Sequence, residues 1–241
     1  MSSSVLPTQD SAVLDLSVAE QYQRDGFILK PAVLTPERCR ELKETGQQVI
    51  RDHAPPGSSV FVGVAAAHFL FRELASEPVV LQILNEILPG GVDFLSDKFV
   101  FKSGAHRFAT PWHCDVAYWS GTRAKISVWI PLDDVYAGNG TLKVLPGGHL
   151  RDWEHGSTGG RGTNGEFDQT IRGLPFDASG EMICEMPAGS MLFFSDRLPH
   201  ASTANTSGTD RYAIISTYHA TGFEEPFDRH FPARHCVIPA K

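Results

Sequence analysis

Two residues able to bind a metal ion stand close together in the segment PWHCDVAYW, where one residue separates His113 from Asp115. Side chains two apart on a strand point to the same face, so the imidazole and the carboxylate would converge on one ion. Two histidines and one carboxylate leave three octahedral positions open, as in non-haem Fe(II) oxygenases, and a 2-oxo acid and O2 would fill them. A lone His-x-Asp pair also arises by chance, and a polar pair on an exposed strand explains it equally well.

A third imidazole and an arginine follow in the segment MLFFSDRLPHASTANTSGTDRYAIIS. His200 comes after an apolar run and a turn, and Arg211 begins the next apolar run. A planar guanidinium grips a carboxylate through two hydrogen bonds, and a buried arginine needs such an anionic partner. Taken singly, these residues fit a loop histidine and a surface arginine. In this order after His113 and Asp115, they indicate a metal centre with an anionic co-substrate.

The elements that must position these residues change in type near residue 91. Before this point the sequence predicts helices after Ser17, from Pro36 to about residue 52, and after Pro78, each from capping signals at its start. After it, short alternating runs separated by turn residues predict strands: DFLSDKFVFK, KISVWIPLDD, TLKVLPG, MLFFSD and RYAIISTYH.

Residues 147–180 are rich in glycine and lack periodicity. A segment of this length is too long for an ordinary connection, so it is predicted to be a functional lid or binding loop. Strands with helices stacked before them predict one domain, a β-sandwich or barrel buttressed by helices. Its helical buttress would span about residues 15–90 and its β core about residues 91–220.

The chain resembles the phytanoyl-CoA dioxygenase family of Fe(II)/2-oxoglutarate oxygenases from residue 20 to about residue 220. The resemblance lies in YQRDGFILKPAVLT, WHCD, VWIPLDDVYAGNGTLKVLPGGH and PHASTANTSGTDR. The pattern NG-x-L-x-V-x-PG-x-H in the third segment is the most specific part. The resemblance implies a mainly β double-stranded β-helix, the cupin-like jelly roll, with N-terminal helices. It also implies Fe(II), 2-oxoglutarate and O2.

The same resemblance assigns roles to individual residues. It makes His113, Asp115 and His200 the iron ligands and the catalytic centre, and it pairs Arg211 with the distal carboxylate of 2-oxoglutarate. Further co-substrate contacts are implied for Ser202, Trp129 and Lys98.

Four residues beside the metal motif are candidates to line the substrate pocket: Trp112, Tyr118, Trp119 and Arg123. Packing and surface display are the alternative roles for them. Cys114 stands where glutamine is common in the family, and we expect it to pack on the opposite face as a small buried residue. Because the sequence has no recognisable coenzyme A site, a CoA thioester substrate is not implied.

The implied reaction is hydroxylation of an unactivated C–H bond in a small metabolite or natural-product intermediate, with release of succinate and CO2. Halogenation is disfavoured because Asp115 takes the position that a halide would need, whereas desaturation, ring expansion and epimerisation remain open. Two other classes are possible at this stage. One is an inactive jelly-roll binding or sensor protein, and the other is a metal-dependent hydrolase or isomerase, which has no need of Arg211.

Composition limits the partners. The 241 residues carry a formal net charge of −7, which argues against nucleic acid because phosphate binding needs a basic surface. The sequence shows no apolar run long enough to span a membrane. Four scattered cysteines, without a signal-peptide pattern, predict a reducing, cytoplasmic location. A small-molecule substrate is expected, and the oligomeric state stays open.

Overall fold

A computed structural model describes residues 16–119, 123–157, 168–175, 178–222 and 231–240. Its helices are α1 (Val18–Asp25), α2 (Pro36–His53), α3 (Val64–Ala67), α4 (Phe69–Leu74) and α5 (Pro78–Ile87). Its strands are β1 (Phe27–Lys30), β2 (Val60–Val62), β3 (Val92–Lys102), β4 (Lys125–Pro131), β5 (Leu142–Val144), β6 (His155–Ser157), β7 (Gln169–Ile171), β8 (Met182–Ile183), β9 (Met191–Ser195), β10 (His200–Ser202), β11 (Arg211–Ala220) and β12 (His235–Ile238).

The predicted helix starts are confirmed by their caps. The Ser17 hydroxyl accepts from the backbone N–H of Glu20, whose carboxylate accepts from the backbone N–H of Ser17, so the capping box is closed. The helix α1 ends at Gly26, whose φ of 83° is a left-handed conformation that glycine adopts without strain. Thr35 caps α2 through its hydroxyl and is followed by Pro36 at the first helical position.

Two antiparallel sheets form the body of the molecule. The larger has the order β1-β9-β4-β11-β3-β12, with β2 also paired to β3, and the smaller has the order β10-β5-β8. Strands β6 and β7 pair with each other as a separate hairpin. The expected mainly β jelly roll with N-terminal helices is confirmed.

The larger sheet separates two apolar layers because alternate side chains of a strand face opposite sides. On its outer face, Phe99, Phe193 and Tyr218 pack against helix residues such as Leu42 and Phe71. This layer fixes which residues of β3, β4 and β11 face the other way.

The inner face of the larger sheet meets the smaller sheet. Trp129 of β4 and Phe194 of β9 form this second layer together with Val144 of β5. Polar and charged residues of β3 and β11 share the inner face with them, so the functional side chains are supported by packed aromatic rings.

The N-terminal region has the predicted helices and also two short strands that the sequence did not predict. Strand β1 pairs with β9 and strand β2 pairs with β3, and both partners lie far along the chain. Pairing to a distant edge is a tertiary effect that local pattern does not reveal. Likewise, the described part of 147–180 contains β6, β7 and a 3-10 turn at Gly148–Leu150, and the rest of it, residues 158–167 and 176–177, lies outside the described residues. Among the helices that the structure describes, none combines the length and apolar character needed to cross a bilayer.

Candidate active site

The predicted metal motif sits where a β-bridge passes into a turn. His113 forms an antiparallel bridge with His200, the first residue of β10, through N–H···O bonds of 3.0 and 2.9 Å. Asp115 begins a 3-10 turn that ends at Ala117. The sequence predicts that His113 and Asp115 lie on a regular strand, but they do not. The turn, and not strand alternation, brings the carboxylate of Asp115 close to the imidazoles.

The three side chains meet at one point. The Nε2 atoms of His113 and His200 lie 3.7 and 3.6 Å from Oδ1 of Asp115, and the three candidate donors all lie within 4.8 Å of one another. Each histidine donates its Nδ1 proton to a backbone carbonyl, that of Pro111 at 2.8 Å and that of Leu198 at 2.9 Å. Because Nδ1 carries the proton, the Nε2 lone pairs face the shared point, which is the tautomer that a metal requires.

Protonation favours metal binding as well. Burial, together with the charge of His200, lowers the pKa of His113, so its ring is neutral. Burial raises the pKa of Asp115, but the electrostatic effect of His200, Lys98 and His113, whose protonated forms favour the carboxylate, outweighs burial, and the pKa lies below the ordinary value. Ser127 donates to Oδ2 of Asp115 at 3.1 Å, which leaves Oδ1 turned towards the histidines. Among the residues that the structure describes, this is the one cluster of three or more such ligands close enough to hold an ion.

A cationic pocket lies on the same inner face. Arg211 is 2% exposed and donates to the carbonyl of Gly140 at 2.7 Å. Its guanidinium lies 5.7 Å from the ring centroid of Trp129, and its buried Nε has no hydrogen-bond partner among the described residues. Burial lowers the pKa of Arg211 to about 10, so the side chain stays charged. A buried guanidinium with a donor to spare fits a carboxylate ligand.

Lys102 is a second basic residue in this pocket and was not among the candidates predicted from the sequence. It is 2% exposed, and its Nζ donates to Oγ of Ser202 at 2.7 Å and to the carbonyl of Thr203 at 2.6 Å. Burial, with the positive charge of Arg211 beside it, lowers its pKa well below the usual range. The available signal was strand alternation, because residues 98, 100 and 102 share one face of β3 and Lys98 was already a candidate.

The three metal-binding side chains lie where two cavities meet. A cavity of about 320 Å³, the co-substrate lobe, runs from His113, Asp115 and His200 to the cationic pocket and is walled by Trp129. A second cavity of about 250 Å³, the substrate lobe, also reaches His113 and Asp115 and is lined by Tyr118 and Trp119. Val62, Lys98, His113 and Asp115 line both lobes. A ligand in either lobe would therefore approach the same metal face.

The four candidate substrate residues divide into two pairs. Tyr118 and Trp119 line the substrate lobe. Trp112 does not, because it is 2% exposed and packs in an apolar cluster with Ile171 and Ala201 behind the metal motif. Arg123 lines neither lobe, and it donates to the carbonyl of Ala220 at 2.9 Å. The structure thus brings Tyr118 and Trp119 to this lobe and does not bring Trp112 and Arg123 there.

The residue between the two metal-binding positions is tied to the predicted lid. Cys114 is buried in the same apolar cluster as Trp112, as expected for a packing residue. Its backbone N–H donates to Nε2 of His155 in β6 at 3.1 Å. In β7, the backbone N–H of Ile171 donates to the carbonyl of Trp112 at 2.8 Å, and the Tyr118 hydroxyl bonds the backbone of Gln169. The β6–β7 hairpin is thus docked on the segment that carries two of the three metal-binding side chains.

The residues present fit both groups that the resemblance implies. Two imidazoles that turn Nε2 inwards and one carboxylate suit Fe(II) and leave positions for a chelating 2-oxo acid and O2. The unpartnered Nε of Arg211 suits the far carboxylate of that acid. Such a donor set beside such a pocket defines a non-haem Fe(II) oxygenase with a 2-oxo acid co-substrate.

Comparisons with known proteins agree. The family model described as phytanoyl-CoA dioxygenase (PhyH) matches residues 22–213. L-proline trans-4-hydroxylase of Streptomyces griseoviridis is 27% identical over 233 residues, covering 86% of both chains. Ectoine dioxygenase of Bordetella parapertussis is 23% identical over 257 residues, covering 91% of this chain and 82% of that protein.

A solved structure supports the fold. EvdO2 from Micromonospora carbonacea var. aurantiaca, in complex with 2-oxoglutarate, matches with a TM-score of 0.71 at 20% identity, covering 86% of this chain and 91% of that chain. The chain belongs to the phytanoyl-CoA dioxygenase family. It is accordingly a 2-oxoglutarate-dependent oxygenase that uses Fe(II) and O2.

Proposed function

We propose that this enzyme hydroxylates an unactivated C–H bond of a small metabolite, with His113, Asp115 and His200 holding the iron. The observation that carries the proposal is the co-substrate lobe, which has the three metal-binding side chains at one end and Arg211 with Lys102 at the other. One short dianionic molecule that chelates a metal through one end and presents a carboxylate at the other matches both ends.

The side chains of the co-substrate lobe bind and orient. Arg211 and Lys102 hold the distal carboxylate of 2-oxoglutarate, and the Ser202 hydroxyl, which accepts from Lys102, donates its own proton to it. Trp129 forms a wall that keeps water from the carbon chain. Bound iron supplies O2 activation, coupled to conversion of 2-oxoglutarate into succinate and CO2. Ser127 keeps the carboxylate of Asp115 oriented throughout.

A small substrate is favoured by the size of the substrate lobe and by the relatives. A cavity of about 250 Å³ lies just below the range of roughly 300–1,000 Å³ that pockets for drug-sized ligands have. L-proline, the compound in the name of one relative, is of this order of size. We therefore propose a small metabolite or natural-product intermediate. Because Asp115 fills the position a halide would need, hydroxylation is proposed over halogenation.

The test measures succinate formed from 2-oxoglutarate with Fe(II), ascorbate and O2 present, alongside direct 2-oxoglutarate binding. His113→Ala should abolish turnover, and Arg211→Ala should weaken 2-oxoglutarate binding by a factor of roughly 10 to 100, since it removes a charged hydrogen-bonding partner. Arg51→Ala, at an exposed position of α2, is the control and should match the wild type. Unchanged turnover in both site variants would refute the proposal, and binding without turnover in the wild type would point to an inactive binding protein.

Two further assignments belong to the same proposal. The segment 147–180 acts as a lid whose base is the docked β6–β7 hairpin, within a single catalytic domain. A cytoplasmic location is proposed because all four cysteines, Cys39, Cys114, Cys184 and Cys236, are free thiols, which suits a reducing compartment.

A further inference from the structure

Lys98 holds a central position on the inner face of β3. It is one of the residues that line both lobes, and it pairs with Ile215 across the β3–β11 ladder. Although half-buried, it forms no hydrogen bond or ion pair with any described residue. A lysine held in a cavity wall without such a partner is suited to an anion that comes with a ligand.

The co-substrate does not require this lysine. The distal carboxylate of 2-oxoglutarate already has Arg211 and Lys102, which lie four residues along the β3–β11 ladder from Lys98 and Ile215. The metal-chelating end is neutralised by the iron itself. Asp115 and the dianionic 2-oxoglutarate carry three negative charges, and Fe(II), Arg211 and Lys102 carry four positive charges. The formal charge of the loaded site is therefore +1, and Lys98 raises it to +2. One more anion, carried by the substrate, brings the site closer to neutrality.

The remaining lining of the substrate lobe is poor in charge. Asp97 lines it, but its carboxylate accepts the backbone N–H of Ala65 at 3.0 and 3.1 Å and so faces α3. Asp115 is committed to the metal and to Ser127. Among the described residues that line the lobe, Lys98 is therefore the single cation, and none of them is an arginine. A lone ammonium matches a singly charged carboxylate, whereas phosphate sites favour guanidinium forks or several donors.

The other walls are aromatic and apolar. Tyr118, Trp119, Phe231 and Val62 line the lobe, and the rings of Trp119 and Phe231 lie 5.9 Å apart. Such walls bind a hydrocarbon skeleton without adding polar contacts. The lobe thus has one charged contact beside the metal and an apolar remainder.

We propose that the substrate is a small carboxylate with an apolar or ring-shaped carbon skeleton, and that Lys98 binds its carboxylate and so determines specificity. This rests on the proposed function and deepens it. With the carboxylate held at Lys98 and the skeleton against Trp119, a C–H bond a few carbons away is presented to the metal face.

The experiment uses matched pairs of probes: L-proline, L-pipecolate, L-phenylalanine and hexanoate, each with its carboxamide. Binding to the Mn(II)- and 2-oxoglutarate-loaded enzyme and stimulation of succinate formation are both measured. We expect carboxylates to surpass their amides by about 10- to 100-fold, the value of a charged hydrogen bond. Lys98→Gln should remove that preference, and Lys98→Arg, which keeps the charge, should restore much of it.

The dissociation constant of 2-oxoglutarate separates this inference from the proposed function. It should stay within about two-fold of the wild type in Lys98→Gln, which is under 0.5 kcal/mol. A large rise would instead assign Lys98 to the co-substrate and overturn the inference. A panel in which carboxylates have no advantage, including one in which no probe binds, overturns it as well. Failure of the wild type to bind or turn over 2-oxoglutarate would sink the proposed function itself.

Discussion

Replacing Lys102 with methionine tests the cationic pocket most directly, because it removes a charge while nearly keeping the side-chain volume. In the free protein, burial and the neighbouring Arg211 lower the pKa of Lys102 well below its usual range. A carboxylate placed between the two cations reverses that effect by favouring the protonated amine. Lys102 therefore opposes stability in the free protein and contributes to binding in the complex.

The magnitudes follow from its contacts. A charge-assisted hydrogen bond to the carboxylate contributes about 1.5–3 kcal/mol, so Lys102→Met should raise the dissociation constant of 2-oxoglutarate roughly 10- to 150-fold. The free protein loses the bonds to Ser202 and Thr203, at about 1 kcal/mol each, but no longer buries a cation beside Arg211. Its free energy of unfolding should change by no more than about 1 kcal/mol.

The pH dependence has a definite sign. Because the pKa of Lys102 is depressed in the free enzyme and raised by the bound carboxylate, binding takes up a proton between those two pKa values. Affinity is full below the depressed pKa and falls as pH rises through it, with the dissociation constant increasing by at most about ten-fold per pH unit. Lys102→Met should abolish this slope.

Calorimetric titration of Mn(II)-loaded enzyme with 2-oxoglutarate, in buffers of different ionisation enthalpy, measures both affinity and proton uptake. Lys143→Met is the matched control, since Lys143 is 1% exposed but pairs with Glu181 at 2.9 Å, away from the co-substrate lobe. It should lower stability and leave 2-oxoglutarate affinity unchanged. A Lys102→Met enzyme with wild-type affinity, or a wild type that takes up no proton at any pH across the titrated range, would refute the reasoning.

Three further substitutions test the surroundings of the metal-binding residues and the packing of helix α2 on the sheet. His155→Ala, which unties the lid hairpin from the metal motif, should weaken Ni(II) binding about ten-fold in a metal titration, and unchanged affinity would deny it a positioning role. Ser127→Ala frees one oxygen of Asp115 and should weaken metal binding by a similar factor of about ten, with a changed Co(II) spectrum. Gly46→Ala would place a Cβ 2.1 Å from Cε2 of Phe99, so urea denaturation should show a loss of about 1–3 kcal/mol. Adding Phe99→Leu should recover part of that loss, and no recovery would mean the clash is not the cause.

Residue type and local pattern foretold much of this molecule. The capping box at Ser17 and the cap at Thr35 act within four residues, so their signals lie wholly in the local sequence. The alternating runs became β3, β4, β5, β9 and β11 for the same reason. The association of His113, Asp115 and His200 could be predicted because two imidazoles and one carboxylate are a typical set of metal ligands.

What the sequence did not reveal depends on long-range pairing. The segments of β1 and β2 are short and become strands because β9 and β3 offer edges to them. Lys102 is the last residue of β3, and its role appears only when β11 brings Arg211 opposite it in register. Trp112 and Arg123 are close to the motif in sequence, yet Trp112 packs in the apolar cluster with Ile171 and Arg123 bonds the carbonyl of Ala220, contacts that only the folded chain creates.

The spacing along β3 explains how one strand can serve two ligands. Lys98 and Lys102 are four residues apart on the same face, which at about 3.3 Å per residue places their backbones roughly 13 Å from each other. The β3–β11 register shifts between Thr217 and Tyr218, beyond both lysines, so their pairing with Ile215 and Arg211 is regular. A one-residue bulge between Lys98 and Lys102 would instead place their side chains on opposite faces of the sheet. The position of the bulge therefore keeps both cations on the cavity face. Because Lys98 and Lys102 occupy separate positions on the strand, we expect substitutions at Lys98 to change the substrate preference and to leave the affinity for 2-oxoglutarate unchanged.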